Sequence, residues 1–123
     1  MPRSVWLAAA AGLALGLAVQ PAGAHAVLDH ASPAVGSSLP ASPPTLSIWF
    51  SENLEPAFSR VTVTNRMGQR VDLDDARVQA AQPKVLQIGL KPLPPGAYVV
   101  HWRVVSVDTH PTQGNFTFVV SGR

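Results

Sequence analysis

Apolar and polar residues alternate with a period of two along most of the chain, and helical periodicity is nearly absent. In residues 45–50, Leu46, Ile48 and Phe50 fall on one side and Thr45, Ser47 and Trp49 on the other, which predicts a half-buried strand. Residues 59–65 alternate again, with Val61 and Val63 inward. Residues 66–69 then form a hairpin turn with Gly68 at a positive-φ position, and 70–73 form the return strand. Residues 85–90 predict a further strand, and 92–96 a Pro/Gly turn that no helix could cross. The longest strand is expected over 97–107, with Tyr98, Val100, Trp102 and Val104 on one face and Val99, His101, Arg103 and Val105 on the other. Residues 115–120 close the chain, with Phe116, Phe118 and Val120 facing inward. Residues 25–28 suggest an edge strand, and 32–36, 40–44 and 74–83 suggest loops, with one or two helical turns over 74–81 as the alternative. About seven short strands separated by Pro/Gly turns predict an all-β Greek-key sandwich or barrel.

The first two dozen residues do not fit that pattern. Arg3 precedes an apolar run over residues 5–19, and Ala22-Gly23-Ala24 is a small-residue cleavage site. This is the arrangement of a secretory signal peptide, and the run is short for a membrane span of about 20 residues. Residues 1–24 are therefore expected to be removed, leaving one domain over 25–123 and placing it in a periplasm. No second membrane-length segment follows. Composition narrows the function classes. The chain has no cysteine, so it has no disulfide and offers no thiolate to a soft metal. Its formal charge is only +2, with no Lys/Arg cluster interleaved with aromatics, which argues against nucleic acid.

Cleavage after Ala24 would create a chemical group that the precursor lacks. A free amino terminus on His25 offers its α-amine and its imidazole Nδ1 to one metal ion. The reference pKa of such an amine, about 7.7–8.0, lets a metal displace its proton near neutrality. A second pair of donors stands in residues 105–114. Asp108 and His110 are two apart, and in an extended segment, which Pro111 favours at His110, they would point to the same side. Three nitrogens and one carboxylate suit tetragonal Cu(II), while Zn(II) could take the same ligands tetrahedrally. Cu(I) would need thiolate or thioether, and Met67 is the one methionine left after cleavage.

Several stretches resemble the CopC/PcoC family of periplasmic copper-binding proteins. They are His25-Ala26-x-Leu28 with Ser32-Pro33-Ala34 and Gly36-Ser37; Phe50-Ser51-Glu52; Leu93 with Gly96-x-Tyr98-x-Val100-x-Trp102; and residues 105–110 with Gly114-x-Phe116-x-Phe118-x-Val120. The resemblance implies an immunoglobulin-like β-barrel holding one Cu(II) per chain through His25, Asp108 and His110. It places Glu52 beside the metal, hydrogen-bonded to a ligand such as the terminal amine. The chain is expected to be a monomer that buffers copper, confers resistance, or delivers copper to an inner-membrane partner, which the resemblance implies is a CopD-type protein. The sequence departs from the family pattern in two places. It lacks the methionine-rich Cu(I) loop of some members, and Val27 stands where many have a second histidine.

A rival class is a copper enzyme, because lytic polysaccharide monooxygenases also chelate copper with an N-terminal histidine. Such an enzyme needs an open coordination position and an exposed aromatic platform. Asp108 would fill that position and no aromatic array is evident, so a non-enzymatic binding protein is expected. His101 reads as a surface or structural histidine, and His30 maps to no ligand position. Trp49, Trp102, Phe116 and Phe118 read as core.

Overall fold

Strand alternation sets the layers. The computed structural model describes residues 25–122, so the leader read at residues 1–24 lies outside them. Eight strands follow in order: β1 (Leu28–Ser32), β2 (Ser38–Leu39), β3 (Thr45–Phe50), β4 (Arg60–Thr64), β5 (Arg77–Val78), β6 (Val85–Gly89), β7 (Gly96–Val105) and β8 (Pro111–Val120). They form two four-stranded sheets, β1-β3-β6-β5 and β2-β8-β7-β4. All pairings are antiparallel except β2 with β8. The all-β sandwich is as expected. Among the described residues the one helical element is a 3-10 turn, Pro56–Phe58, and no helix is long and apolar enough to cross a membrane.

The core lies between the sheets. Leu46, Ile48 and Phe50 of β3 and Leu86 and Ile88 of β6 meet Val61, Val63, Val100, Val104, Phe116, Phe118 and Val120 from the other sheet. Every second residue of these strands is removed from water, which is the period that predicted them. Trp102 packs edge-on against Phe50 with centroids 5.1 Å apart, above Gly114 of β8. The Tyr98 hydroxyl donates to the Pro94 carbonyl, fixing the turn before β7 in the manner of a tyrosine corner. Burial raises the Tyr98 pKa.

The structure changes several local readings, the unpredicted β2 and the end of β7 at Val105 among them. The first strand runs over Leu28–Ser32, not 25–28. Residues 70–73 make only single bridges, Thr64 to Arg70 and Asp72 to Leu90, instead of a strand. The cause is Asp72. Its buried carboxylate accepts the Val63 N–H at 2.8 Å, taking the place of a ladder carbonyl. Within the loop at 74–83, Arg77–Val78 pair with β6 as β5. The last strand starts at Pro111, because the whole of β7 pairs with it from Val105 onward. The turn at Gly68 is as expected: its φ is 79°, and the Asn65 side chain accepts the Met67 and Gln69 N–H groups at 2.9 and 3.0 Å.

Candidate metal centre

The residue after His25 fixes where His25 lies. Ala26 is buried to 1% exposure in the core, so it acts as a small apolar plug at one end of the sandwich. Its carbonyl accepts the Thr112 hydroxyl of β8 at 2.9 Å. Val27 is tied to the loop after β3: its N–H donates to Ser51 Oγ at 2.9 Å and its carbonyl accepts the Ser51 N–H at 2.9 Å. One bond to Thr112, two to Ser51 and a buried methyl thus hold the lead-in to β1 against the start of β8 and the loop after β3. His25 is exposed at the rim, its ring centroid 4.8 Å from that of His110 at an interplanar angle of 69°.

Asp108 and His110 lie in the β7–β8 connection, which is a turn and not the extended segment expected from the sequence. β7 ends at Val105, and Ser106 bridges to Leu54 of the neighbouring loop. The Ser106 N–H then donates to the His110 carbonyl at 3.2 Å, and the Thr109 N–H to the Ser106 carbonyl at 2.8 Å. Thr109 sits at φ 71°, a left-handed conformation uncommon for threonine. Val107 N–H to the Asn53 carbonyl, 3.0 Å, anchors the turn from the side. Asp108 and His110 are brought together all the same, with Nδ1 3.6 Å from Oδ1. The Ser106 hydroxyl, fully buried, donates to Asp108 Oδ1 at 2.5 Å. That bond, with a smaller contribution from His110, holds the Asp108 carboxyl below its ordinary pKa despite partial desolvation. Asp108 is thus a carboxylate with one oxygen oriented by its own turn.

His25, Asp108 and His110 therefore share one rim where the two sheets meet. They do not close a coordination sphere: among the described residues, no group of three or more His, Cys, Asp or Glu side chains lies at metal-holding distance. The α-nitrogen of His25 is also a peptide nitrogen for as long as Ala24 precedes it.

A family model described as the CopC domain matches residues 28–121. The chain belongs to the CopC domain family. It is 38% identical over 98 residues to protein YobA of Escherichia coli K12, covering 79% of each chain. It is similar to CopC from Methylosinus trichosporium OB3b, with TM-score 0.74, 34% identity, and coverage of 79% of this chain and 94% of that one. It is also similar to PcoC from E. coli, a methionine-rich copper resistance protein, with TM-score 0.69, 38% identity, and coverage of 80% and 100%.

The remaining sequence candidates fall in three places. Glu52 is half-buried and follows Ser51, the residue that ties down Val27; among the described residues its side chain forms no ion pair with His25 or His110. His30 lies elsewhere, on the outer face of the β1-β3-β6-β5 sheet. It stacks on Trp49 (4.4 Å, 11°), with Nδ1 2.7 Å from Asp29. This stacking is why Trp49 is half-buried although it faces away from the core. His101 is exposed on the outer face of the other sheet. Sequence reasoning missed the groups that position the rim, namely Ser51, Ser106 and Thr112. Ser51 and Ser106 lie in the family-like stretches 50–52 and 105–110, but as small hydroxyl residues at strand ends they carry no periodicity that marks them as anchors, and Thr112 lies in no such stretch.

Proposed function

We infer that this CopC-family chain binds one Cu(II) in the periplasm, using the α-amine and imidazole of a mature N-terminal His25 together with Asp108 and His110. The observation that carries this reading is the approach of His25 and His110 from opposite ends of the chain, with Asp108 beside the second ring. The donor set fits. Two imidazoles, one amine and one carboxylate favour Cu(II) over the other divalent first-row ions. The chain has no cysteine, and Met67 is exposed in the β4 turn at the other end of the sandwich, so a thioether site for Cu(I) is not provided. The similarity to PcoC, a copper resistance protein, supports the same reading. Glu52, half-buried and next to Ser51, would take the role of hydrogen-bonding the amine that cleavage exposes.

Copper is the cargo, and the protein buffers it or passes it to a CopD-type inner-membrane protein. In this reading Asp108 would take the coordination position that oxygen chemistry needs open, so the protein is read as a binder and not an enzyme. The test is Cu(II) titration of the chain beginning at His25, with its His25→Ala and His110→Ala variants, read by electron paramagnetic resonance. The native chain is expected to bind one Cu(II) with nitrogen hyperfine coupling from two imidazoles. Each variant is expected to remain folded and bind at least about 100-fold more weakly. Unchanged affinity in either variant would refute the assignment. So would sustained oxygen consumption with ascorbate and polysaccharide.

A further inference from the structure

The outer face of the β2-β8-β7-β4 sheet carries two guanidiniums that the fold does not use. Arg60 of β4 and Arg103 of β7 are direct cross-strand partners, and both are exposed. Their neighbours Val61 and Val104 are buried, so alternation turns both arginines outward. Like charges directly opposite on a sheet destabilise it. Arg70 and Arg77 have carboxylate partners, but among the described residues Arg60 and Arg103 have none. The four strands of this sheet contain no Asp or Glu. Of the nearby acids, Asp74 is engaged by Arg70 at 3.2 Å, and Glu55 is half-buried in the loop before the 3-10 turn. Around the pair stand further donors. Gln113 is opposite Arg103, and the next row along the strands is Thr62, His101 and Asn115. A shallow hollow opens at His101, Gln113 and Asn115.

We propose that this face docks an acidic protein segment in extended conformation. One carboxylate bridges Arg60 and Arg103, and a second, two residues along, meets the His101–Asn115 row. The rows are two strand residues apart, about 6.6 Å, which is also the i to i+2 spacing of an extended peptide. Guanidinium forks match carboxylates in bidentate geometry. A membrane surface is the poorer match, because lipid-binding basic clusters carry about four to eight Lys/Arg and this face has two. One row further along is Val105 with Pro111, and beyond it the turn bearing Asp108 and His110. A docked segment therefore ends beside the candidate metal rim. Only its use in copper transfer rests on the proposed function; the docking face stands without it.

The probe is a fluorescein-labelled peptide of alternating Thr and Glu, with a Thr/Gln peptide as control, titrated by anisotropy against the metal-free chain beginning at His25. The Glu peptide is expected to bind about tenfold or more tighter than the Gln peptide, and to weaken as salt rises from about 20 to about 200 mM. The double variant R60E/R103E is expected to lose this binding. R66E/K91E, with the same change in net charge away from this face, is expected to keep it. Without any partner, Arg103→Gln is expected to raise Tm by about 1–4 °C by relieving the repulsion. Equal binding of the two peptides, binding retained by R60E/R103E, lost by R66E/K91E, or exceeded by phosphatidylglycerol vesicles, or a fall in Tm for Arg103→Gln, would overturn the proposal. Cu(II) titration of R60E/R103E separates the two readings, because an intact metal site leaves copper affinity unchanged whatever the peptide does.

Discussion

The tie between Thr112 and Ala26 gives the most direct test of how the fold prepares the proposed metal rim. Thr112→Val keeps the size and β-branched shape of the side chain and deletes one hydroxyl. What is lost is the 2.9 Å bond to the Ala26 carbonyl, one residue from His25, the proposed ligand. A typical intramolecular hydrogen bond contributes about 0.5–1.5 kcal/mol net. Ala26 stays in the core and Val27 stays bonded to Ser51, so the lead-in to β1 loosens without detaching. Ordering lost from the free protein must be supplied on binding, and every 1.4 kcal/mol is tenfold in affinity. Cu(II) affinity is therefore expected to fall by roughly 2- to 12-fold, with His25 and His110 both still ligating. The assay is competition for Cu(II) against a chelator of known affinity, beside urea unfolding of the metal-free protein. Global stability should drop by no more than about 1.5 kcal/mol. An unchanged copper affinity at that loss of stability would show that the tie does not position His25. A loss as large as that of His25→Ala would show that the segment detaches, contrary to the anchoring by Ala26 and Ser51.

Two further perturbations probe the scaffold. Asp72 is buried, and desolvation alone would raise its pKa. Hydrogen bonds from Arg70, from the Val63 N–H and from the Asp74 N–H, with the Arg70 charge, outweigh that effect and lower it. Asp72→Ala is expected to cost about 3 kcal/mol at pH 7, the lower end for a broken buried pair because the Arg70 side chain is 46% exposed and can rehydrate. That is a drop in Tm of about 15 °C by circular dichroism. A depressed folded pKa means that the contribution is complete above the unfolded value and is lost as pH falls through the folded one. The gap between wild type and variant should therefore narrow only as pH drops below the ordinary Asp value of 3.8; a gap independent of pH would contradict the ion-pair account. Gly114→Ala would place a Cβ 2.6 Å from Trp102 Cζ2, pushing the indole off Phe50. Overpacking of this kind should cost about 1–3 kcal/mol and shift tryptophan emission, and a variant with native emission and stability would refute the close contact.

What was legible in the sequence follows from how local each cause is. β3 is bounded at Thr45 and Phe50 as expected, and the inward faces of β7 and β8 are the expected ones, because alternation over six or more residues needs no neighbour to interpret it. β2 and β5 were missed because two residues carry no period, and their structure comes wholly from pairing with β8 and β6. The start of β8 was missed because Thr112, Gln113 and Gly114 look like loop until β7 is laid beside them. At the rim, His25, Asp108 and His110 stood out by residue type, but the geometry expected for the last two was different. An extended Asp-x-His would have paired them by strand alternation. The chain instead reverses between Ser106 and His110, through a left-handed Thr109 that no rule about threonine predicts.

That difference bears on how such a rim can hold a metal. A side chain presented from a strand inherits its direction from the sheet. One presented from a turn depends on the turn being fixed, and here Ser106 fixes it, buried, bonded to Asp108 and bridged to Leu54. His25 belongs to the lead-in of the β1-β3-β6-β5 sheet, and His110 immediately precedes β8 of the other sheet. Their meeting therefore depends on the two sheets packing in register at this end, with Ala26 as the plug and Thr112 as the tie across them. A ligand gripping both rings would bind the closed sandwich and not a chain whose sheets have parted. Binding must then stabilise the fold by the linkage relation, in proportion to the logarithm of free ligand over its dissociation constant. The same reasoning makes the His25 amine a dependent group. Under the proposed function, an amine exposed by cleavage on an unpacked segment would chelate weakly, and the buried methyl one residue along would give it its strength.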